Sequence, residues 1–293
     1  MKVLIFGANG MLGHKLYERL KSKFEIIGTI RGGYESIERF SIFSRASIIE
    51  NIEVTNPTSV REIIKRARPD CIINAVGITK QRGAASDVIA TLAVNSLFPR
   101  QLAEIAKERG TRLISVSTDC VFDGTKGNYS EEDTPTARDL YGMSKLLGEL
   151  NAGNTLTLRT SIIGRELESK RSLVEWFLSN SGGQVNGFRQ AVYSGLPTIV
   201  LADLIADIIS DHRELTGLYH VSGDRITKFD LLKLLNQHFD AGIDIVPDDE
   251  IVLDRSLVSL RFRSRTGFRP QPWPDMIEQM AKDNAAYRKK DSC

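Results

Sequence analysis

A tyrosine and a lysine at i,i+4 spacing are the residues of this sequence best suited to proton transfer. Tyr141 and Lys145 lie in a helical stretch predicted at 141–150, and this spacing places both side chains on one helix face. A tyrosine phenol ordinarily titrates at about pH 10. Because a neighbouring ammonium favours the phenolate, we expect Lys145 to lower the pKa of Tyr141 and to make it a general acid near neutral pH.

A hydroxyl group for the same chemistry is expected from Thr118. A buried strand is predicted at 112–116, and Ser117-Thr118-Asp119 follows at its carboxyl end. Ligands of open parallel sheets bind at that edge. The Thr118 hydroxyl can therefore hydrogen-bond the carbonyl oxygen that Tyr141 protonates. The spacing Tyr-x-x-x-Lys alone is common, and its combination with a strand-end hydroxyl is more specific.

The sequence begins with a strand and a glycine-rich loop of the kind that binds phosphates. A strand is predicted at 3–6, and the loop Gly7-Ala8-Asn9-Gly10-Met11-Leu12-Gly13 leads from it into a helix at 11–20. Glycine lets the backbone turn tightly and approach a pyrophosphate, whose charge the helix N-terminus favours. The glycine spacing is one residue longer than G-x-G-x-x-G. Its position between the first strand and the first helix predicts a dinucleotide site rather than a plain turn.

Arg31 indicates which nicotinamide dinucleotide is bound. It ends the second predicted strand, where NAD-specific proteins place a carboxylate on the ribose 2′-hydroxyl. A guanidinium suits a 2′-phosphate, so we expect NADP(H). NAD(H) is the alternative if Arg31 is only a solvated loop charge. Glu53, next to Val54 after the third strand, either accepts from the adenine amino group or is a surface carboxylate.

Short apolar runs alternate with amphipathic stretches in the first half of the chain. Strands are predicted at 3–6, 25–30, 71–74, 112–116 and 156–159, and helices at 11–20, 57–67 and 91–109. This alternation is typical of a doubly wound parallel sheet, the Rossmann arrangement. After about Thr160 glycines and prolines interrupt the pattern, with a helix at 202–210 and a strand at 217–221. We predict an α/β protein with an NADP-binding domain at 1–160, to which parts of 190–225 return, and a smaller, discontinuous substrate lobe at 161–293.

Composition argues against several classes of function. The 293 residues carry 39 Lys plus Arg and 37 Asp plus Glu, a net charge of +2, without a long block of like charge. We therefore expect neither nucleic acid nor a membrane as partner. No apolar run reaches the roughly 20 residues of a membrane span, and a cytoplasmic location is expected. Cys71, Cys120 and Cys293 are widely separated and the four histidines lack ligand spacing, which predicts free thiols and no metal site.

Together these motifs resemble those of the extended short-chain dehydrogenases/reductases, and within them the dTDP-4-dehydrorhamnose reductase family of nucleotide-sugar reductases. The resemblance covers 1 to about 200 and is weaker beyond. The segments that carry it are the glycine loop, Asn74-Ala75-Val76-Gly77, Val94-Asn95, the run from Ser117 to Gly124, Glu132-Asp133-Thr134-Pro135, the run from Tyr141 to Glu149, Leu158-Arg159-Thr160-Ser161 and Gly195-Leu196-Pro197-Thr198.

The resemblance implies NADPH-dependent reduction of a keto group, at C4, on a nucleoside-diphosphate deoxysugar used for cell-surface polysaccharide precursors, with a homodimer as one expected assembly. It implies a catalytic triad of Thr118, Tyr141 and Lys145, with Asn95 orienting the lysine through a water. The cofactor would be lined by Asn74, Ala75 and Val76. The substrate cleft would be bordered by Thr118, Asp119, Cys120, Ser161, Gly195 and Pro197, with Arg255 as a diphosphate ligand or a surface arginine.

Two departures from the family pattern fall at the implied substrate cleft. Cys120 stands where these reductases carry an aromatic residue, and Val192-Tyr193 replaces an acidic residue followed by Gln. Cys120 also excludes the dehydratases, which need Thr-Asp-Glu. Bifunctional 3,5-epimerase/4-reductases place an acid/base cysteine at a similar point, for which Lys170 is an available proton carrier, whereas a small buried thiol is the other interpretation. An alternative of another class is a silent NADP-binding subunit, similar to the regulatory subunit of methionine adenosyltransferase.

Overall fold

The computed structural model describes residues 1–79, 87–151, 153–168, 171–283 and 287. Its strands are β1 (Lys2–Phe6), β2 (Glu25–Thr29), β3 (Ile48–Ile49), β4 (Cys71–Asn74), β5 (Arg112–Thr118), β6 (Thr155–Thr160), β7 (Ile162–Ile163), β8 (Gln184–Phe188), β9 (Ala191–Tyr193), β10 (Leu196–Pro197), β11 (Gly217–His220), β12 (Ile226–Thr227), β13 (Asp244–Asp248) and β14 (Leu253–Asp254). Its α-helices are α1 (Gly13–Leu20), α2 (Pro57–Ala67), α3 (Val88–Leu92), α4 (Phe98–Glu108), α5 (Leu140–Leu147), α6 (Leu173–Leu178), α7 (Thr198–Asp211), α8 (Lys228–Phe239), α9 (Leu260–Thr266) and α10 (Trp273–Lys282). A π-helical turn, Ala93–Leu97, joins α3 to α4, and 3-10 turns lie at Tyr34–Ser36, Arg45–Ser47 and Asp119–Val121.

Within the described residues, seven strands form one parallel sheet in the order β3-β2-β1-β4-β5-β6-β11. In the central strand, Phe6 lies opposite Thr29 of β2 and Asn74 of β4. The direction in which strands are added reverses between β1 and β4, and in such sheets a ligand crevice opens there, at the carboxyl ends of the strands. The doubly wound, Rossmann-like α/β fold predicted from the sequence is confirmed.

Both faces of the sheet are buried, which explains the near-continuous apolar strands. Side chains of a strand point alternately to opposite faces. Val3 and Ile5 belong to one core cluster, and Leu4 and Phe6 to the other. On the second face, Phe6 meets Phe98 of α4 edge to face, with ring centres 5.5 Å apart. The two helical layers thus hold a rigid sheet, whose carboxyl edge is available for a site.

The chain leaves the sheet after β6 and returns to it later. Helix α7 packs on α1, where Arg19 Nε donates to Asp203 Oδ1 at 2.7 Å and Lys23 pairs with Asp207 at 3.0 Å. Strand β11 then pairs with β6 at the sheet edge, so the predicted helix at 202–210 and strand at 217–221 are confirmed. Smaller sheets lie outside the main one, in the orders β10-β7, β12-β9-β14 and β13-β8. The domain boundaries assigned from the sequence stay predictions.

Two classes of feature are not found among the described residues. None of these helices is both long and apolar enough to cross a membrane. In the same part of the chain, no group of three or more His, Cys, Asp or Glu side chains could hold a metal ion. Cys71 is buried and carries a thiol, whereas Cys293 and Lys170 lie outside the described residues.

Candidate active site

Helix α5 is packed directly onto the carboxyl end of β5. Thr118 ends the strand, and its Oγ1 accepts from the Cys120 backbone N–H at 3.1 Å. Asp139 caps α5 by accepting from the Gly142 N–H at 3.0 Å. A Cβ at position 142 would overlap the Cys120 carbonyl, so only glycine permits this approach. It brings Tyr141 next to Thr118, whose hydroxyl is near enough to lower the pKa of the phenol.

The Tyr141 phenol keeps its proton in this environment. Burial raises its pKa above the usual range, the charges of Cys120 and Asp119 raise it further, and the nearby Thr118 hydroxyl lowers it. The prediction that Lys145 lowers this pKa is wrong for this structure, because the Lys145 ammonium is turned to the strand and donates to the Val116 carbonyl at 2.8 Å. Tyr141 is therefore a proton donor rather than a phenolate.

Lys145 lies on the same half-buried helix face, between the sheet and a buried carboxylate. Burial lowers its pKa to about 8, and the charge of Glu149 acts in the opposite direction. A lysine whose pKa is this close to neutrality can hold or release a proton with little cost. The predicted convergence of Thr118, Tyr141 and Lys145 at one edge of the sheet is thus what the structure contains.

A buried ion pair supports this edge from behind. Arg159 of β6 donates to Glu149 through two bonds, Nε–Oε1 at 2.7 Å and Nη2–Oε2 at 2.6 Å, and Ser117 Oγ donates to Oε1 at 2.6 Å. The two charged side chains are 6% and 7% exposed. His220 Nε2 lies 3.3 Å from Arg159 Nη1, and burial lowers the histidine pKa to about 4, so the neutral ring can accept this bond. Sequence analysis did not identify this network.

Asn95 ties the loop after β4 to α5. Its Oδ1 accepts from the Ile78 N–H at 2.9 Å, and its Nδ2 donates to Ile78 O at 2.9 Å and to Ser144 Oγ at 3.1 Å. The residue lies in the π-helical turn, a feature often found at functional sites. These contacts place Asn95 against Ser144, the residue that directly precedes Lys145 in α5. Its action on Lys145 through a water stays a prediction.

The glycine loop has the close backbone packing expected of a dinucleotide cradle. Gly7 adopts φ +83°, and a Cβ there would press on the Val76 side chain at 3.0 Å. A Cβ at Gly13 would overlap the Gly7 carbonyl oxygen. Asn74 shapes the facing turn, since its Oδ1 accepts from the Val76 N–H at 3.1 Å. Three of the predicted cofactor residues in this region are buried: Leu12, Gly13 and Asn74. The others are half-buried: Gly7, Asn9, Gly10, Met11, Ala75 and Val76.

Arg31 and Glu53 lie beyond the loop, past the ends of β2 and β3. Arg31 is exposed and makes no hydrogen bond or ion pair with the part of the chain that the structure describes. Its guanidinium is thus available to an anion. Glu53 is also exposed, and its Oε1 accepts from Thr55 N at 3.2 Å and Thr55 Oγ1 at 2.9 Å, whereas Val54 is buried. The contact of Glu53 with adenine stays a prediction.

Asp119, Cys120 and Arg255 continue the site from the end of β5. Arg255 Nε donates to the Phe122 carbonyl at 2.8 Å, and its Nη1 lies 3.9 Å from Cys120 Sγ. Asp119 is buried and accepts from the Thr118 hydroxyl at 3.2 Å. Burial raises the Asp119 pKa, and the Arg255 and Lys228 charges lower it. Arg255 is therefore not a plain surface arginine, because it packs against the segment that follows Thr118.

The opposite border is formed by Ser161, Gly195 and Pro197. The Leu196 N–H donates to the Ser161 carbonyl at 2.9 Å, and β10 pairs with β7. A Cβ at Gly195 would overlap both that carbonyl oxygen and the Tyr193 hydroxyl, so the chain turns here against a buried tyrosine. The predicted substrate residues thus fall on two edges, one at the end of β5 and one around β7 and β10.

Lys228 is a site residue that sequence analysis missed. It is the first residue of α8, and its Nζ lies 4.0 Å from the centre of the Tyr193 ring. Burial lowers its pKa to about 8, and the charges of Asp119 and Cys120 raise it. These partners are more than 30 residues away in sequence, and a lysine that opens an amphipathic helix is ordinarily a surface residue. No sequence pattern indicated it.

Several known proteins are similar to this chain in sequence. A 33% identical match to a dTDP-4-dehydrorhamnose reductase of Burkholderia thailandensis spans 55% of this chain and 50% of that protein. The enzyme of the same name from Aggregatibacter actinomycetemcomitans is 30% identical over 76% of this chain and 74% of its own length. Methionine adenosyltransferase 2 subunit beta of Xenopus laevis is 26% identical over 95% of this chain and 89% of its own length.

Solved structures and a family model complete the comparison. A crystal structure of dTDP-4-dehydrorhamnose reductase from Bacillus anthracis in complex with NADP superposes with a TM-score of 0.79, covering 96% of this chain and 99% of that one at 22% identity. That similarity shows the fold. The model of the RmlD substrate binding domain matches residues 1–251. This chain therefore belongs to the RmlD substrate binding domain family.

Proposed function

We propose that this protein is an NADPH-dependent reductase of a keto group, at C4, of a nucleoside-diphosphate deoxysugar. The observation that carries the proposal is the convergence of Thr118, Tyr141 and Lys145 where α5 meets the end of β5. Family membership and the names of the relatives agree with this chemistry. The product would serve as a precursor of a cell-surface polysaccharide.

The reaction needs an acid for the ketone oxygen and a fixed position for the ketone. NADPH, when bound, supplies a hydride to the ketone carbon. Tyr141 gives its proton to the oxygen, so the carbonyl becomes an alcohol and the phenolate left behind takes a proton from solvent or from Lys145. The raised pKa of Tyr141 keeps the phenol protonated until negative charge develops on the substrate oxygen. Thr118 holds the same oxygen by a hydrogen bond.

The residues available for the cofactor fit a dinucleotide. A Cβ on Gly7 or Gly13 would meet the Val76 side chain or the Gly7 carbonyl, so only glycine permits the tight strand-to-helix turn that a pyrophosphate-binding loop requires. Arg31 lies past the end of β2, exposed and with no partner in the described residues, which suits a 2′-phosphate. The loop suits the pyrophosphate of either dinucleotide, and Arg31 supports NADP(H) over NAD(H).

The test is turnover of dTDP-4-keto-6-deoxyglucose with NADPH, followed at the nicotinamide absorbance. Tyr141→Phe should lower turnover by about 10²–10⁴-fold with NADPH binding kept. Tyr219→Phe is the matched control, since Tyr219 is a buried tyrosine of the same sheet that packs against Phe262. A Tyr141→Phe protein as active as this control would show that another group donates the proton.

A catalytically silent NADP-binding subunit is the candidate of another class. This second candidate is supported by the similarity to methionine adenosyltransferase 2 subunit beta, which extends over 95% of the chain. The two candidates differ in one measurement, because a silent subunit binds NADPH and oxidises none of it in the presence of any 4-keto nucleotide sugar. The presence of both Tyr141 and Lys145, the two residues proposed for proton transfer, supports an enzyme rather than a silent subunit.

A further inference from the structure

We propose that Lys228 binds an anionic oxygen of the substrate and that, with Tyr193, it determines which nucleotide sugars the site accepts. This inference rests on the proposed function, because it adds a substrate contact to the same site. The ligand group is a carboxylate of the sugar ring or an oxygen of the diphosphate. Both have the same chemistry for an ammonium ion, and the experiment below distinguishes them.

The Lys228 ammonium is held in place without an acceptor for its protons. Its Nζ lies 4.0 Å from the centre of the Tyr193 ring, a contact that fixes a cation by its charge. In the described part of the chain it forms no hydrogen bond and no ion pair, although the side chain is half-buried. Partial removal of an ammonium from water is costly unless an acceptor replaces the lost water. Its three N–H donors are therefore available to a ligand.

Tyr193 connects this ammonium to the substrate border formed by Ser161 and Gly195. The tyrosine is 5% exposed, and its ring carries Lys228 on one face. Its hydroxyl has no hydrogen-bond partner in the described residues, although the Ser161 side chain is near enough to lower its pKa. A Cβ at Gly195 would overlap this hydroxyl. Buried polar groups in native proteins are nearly always paired, so an unpaired hydroxyl at this border indicates a functional position.

The local charge balance favours an anion. Lys228 and Arg255 are two cations near the end of β5, and both lower the pKa of the buried Asp119 carboxyl. That carboxyl already accepts from the Thr118 hydroxyl, and among the described residues it forms no ion pair with Lys228. Asp139, the other carboxylate that acts on Tyr141, already caps α5. Lys228 is thus left without an ion-pair partner among the described residues, and a negatively charged substrate group would supply one.

The experiment compares Lys228→Met with Lys233→Met in the NADPH-bound protein. Lys233 is the matched control, because it lies on the same helix, is exposed, and stands 5.4 Å from the centre of the Phe229 ring. Four ligands are titrated by calorimetry: dTDP-glucose, dTDP-glucuronate, dTDP and thymidine. The first two differ by one carboxylate, and the last two differ by the diphosphate. Loss of a hydrogen bond to a charged group should weaken binding roughly 10- to 100-fold.

Each pattern of affinities has one interpretation. A loss confined to dTDP-glucuronate assigns Lys228 to a sugar carboxylate, and an equal loss for all three diphosphates, with thymidine unchanged, assigns it to the diphosphate. Affinities within twofold of the Lys233→Met values for every ligand would overturn the inference and leave the proposed function intact. Wild-type protein that binds NADPH and none of these nucleotides would overturn both. Unchanged NADPH affinity in Lys228→Met verifies that the variant is folded.

Discussion

The buried Glu149–Arg159 pair allows a prediction whose size follows from the structure. Glu149→Gln keeps the shape of the side chain and removes the charge that Arg159 faces through two bonds of 2.7 and 2.6 Å. Both side chains are more than nine-tenths buried, so the arginine is left as an unpaired charge away from water. Breaking a buried pair in this way costs about 3–5 kcal/mol. We expect the lower limit, about 3 kcal/mol, because the amide oxygen can still accept one bond.

The assay is urea unfolding followed by circular dichroism, with thermal unfolding as a second measurement. At 2–4 °C for each kcal/mol in a chain of this size, the melting temperature should fall by roughly 6–12 °C. Glu278→Gln is the matched control, since Glu278 pairs with Lys282 at 2.8 Å with both side chains half or more exposed. Exposed pairs contribute about 0–1 kcal/mol. A Glu149→Gln protein that loses no more stability than the control would refute the burial argument.

The same substitution tests the link from this pair to Lys145, the lysine of the proposed triad. The Glu149 charge raises the pKa of Lys145, which burial holds at about 8. Removing that charge should lower the Lys145 pKa further, so the lysine loses its proton at a lower pH. If the charged lysine is needed for turnover, the alkaline limb of the pH–rate profile moves to lower pH in Glu149→Gln. If the alkaline limb of the pH–rate profile does not move, Glu149 does not act on the reaction through Lys145 and its role is structural.

Four further substitutions and conditions test other parts of the site. Gly13→Ala places a Cβ against the Gly7 carbonyl and should abolish NADPH binding, measured by nicotinamide fluorescence. Arg31→Ala should weaken NADPH about tenfold and leave NADH unchanged, and equal affinities for both in the wild type would contradict the assignment of a 2′-phosphate contact. Burial lowers the Lys145 pKa from 10.5 to about 8, so between these pH values the unfolded chain binds more protons than the folded one. The free energy of unfolding should therefore gain a contribution from this lysine as the pH rises from 8 to 10.5. Lys145→Met should reduce this dependence of the free energy of unfolding on pH, measured by urea titrations. In D₂O we expect no deuterium at the carbons beside the ketone, and incorporation that Cys120→Ser abolishes would promote the epimerase/reductase alternative.

The sheet, and the position of Thr118, Tyr141 and Lys145 at one edge of it, could be predicted because their signals are local. Helix α2 begins where predicted, since Asn56 caps it by accepting from Thr58 N at 3.1 Å and Pro57 occupies its first position. The helix predicted at 91–109 instead contains a π-helical turn. Pro99 has no N–H to give to the Asn95 carbonyl four residues earlier, and that carbonyl faces Gly148. The proline was visible in the sequence, but its partner across the fold was not.

Contacts between residues that are far apart in the sequence could not be predicted, for a physical reason. Glu149 and Arg159 belong to different elements, and each alone has the appearance of a surface charge in the sequence. Lys228 meets Tyr193 only because β9 pairs with β12 immediately before α8. Each of these two strands has only two or three residues, which is too short for the period-2 pattern in the sequence to indicate their pairing. The burial that raises the Tyr141 pKa likewise comes from the packing of α5 on the end of β5, which the local sequence does not show.

The position of α5 depends on two glycines as much as on its catalytic side chains. At one end of the helix a Cβ on Gly142 would meet the Cys120 carbonyl, and beyond the other end a Cβ on Gly148 would meet the Asn95 carbonyl. The helix is therefore laid backbone to backbone against the strand end and against the π-helical turn. Tyr141 directly precedes the first contact and Lys145 lies between the two. The distance of both side chains from the sheet edge is therefore set by two residues that have no side chain. A Tyr-x-x-x-Lys pair without such glycines could occupy the same sequence spacing and still stand too far from the sheet edge to share an oxygen with Thr118.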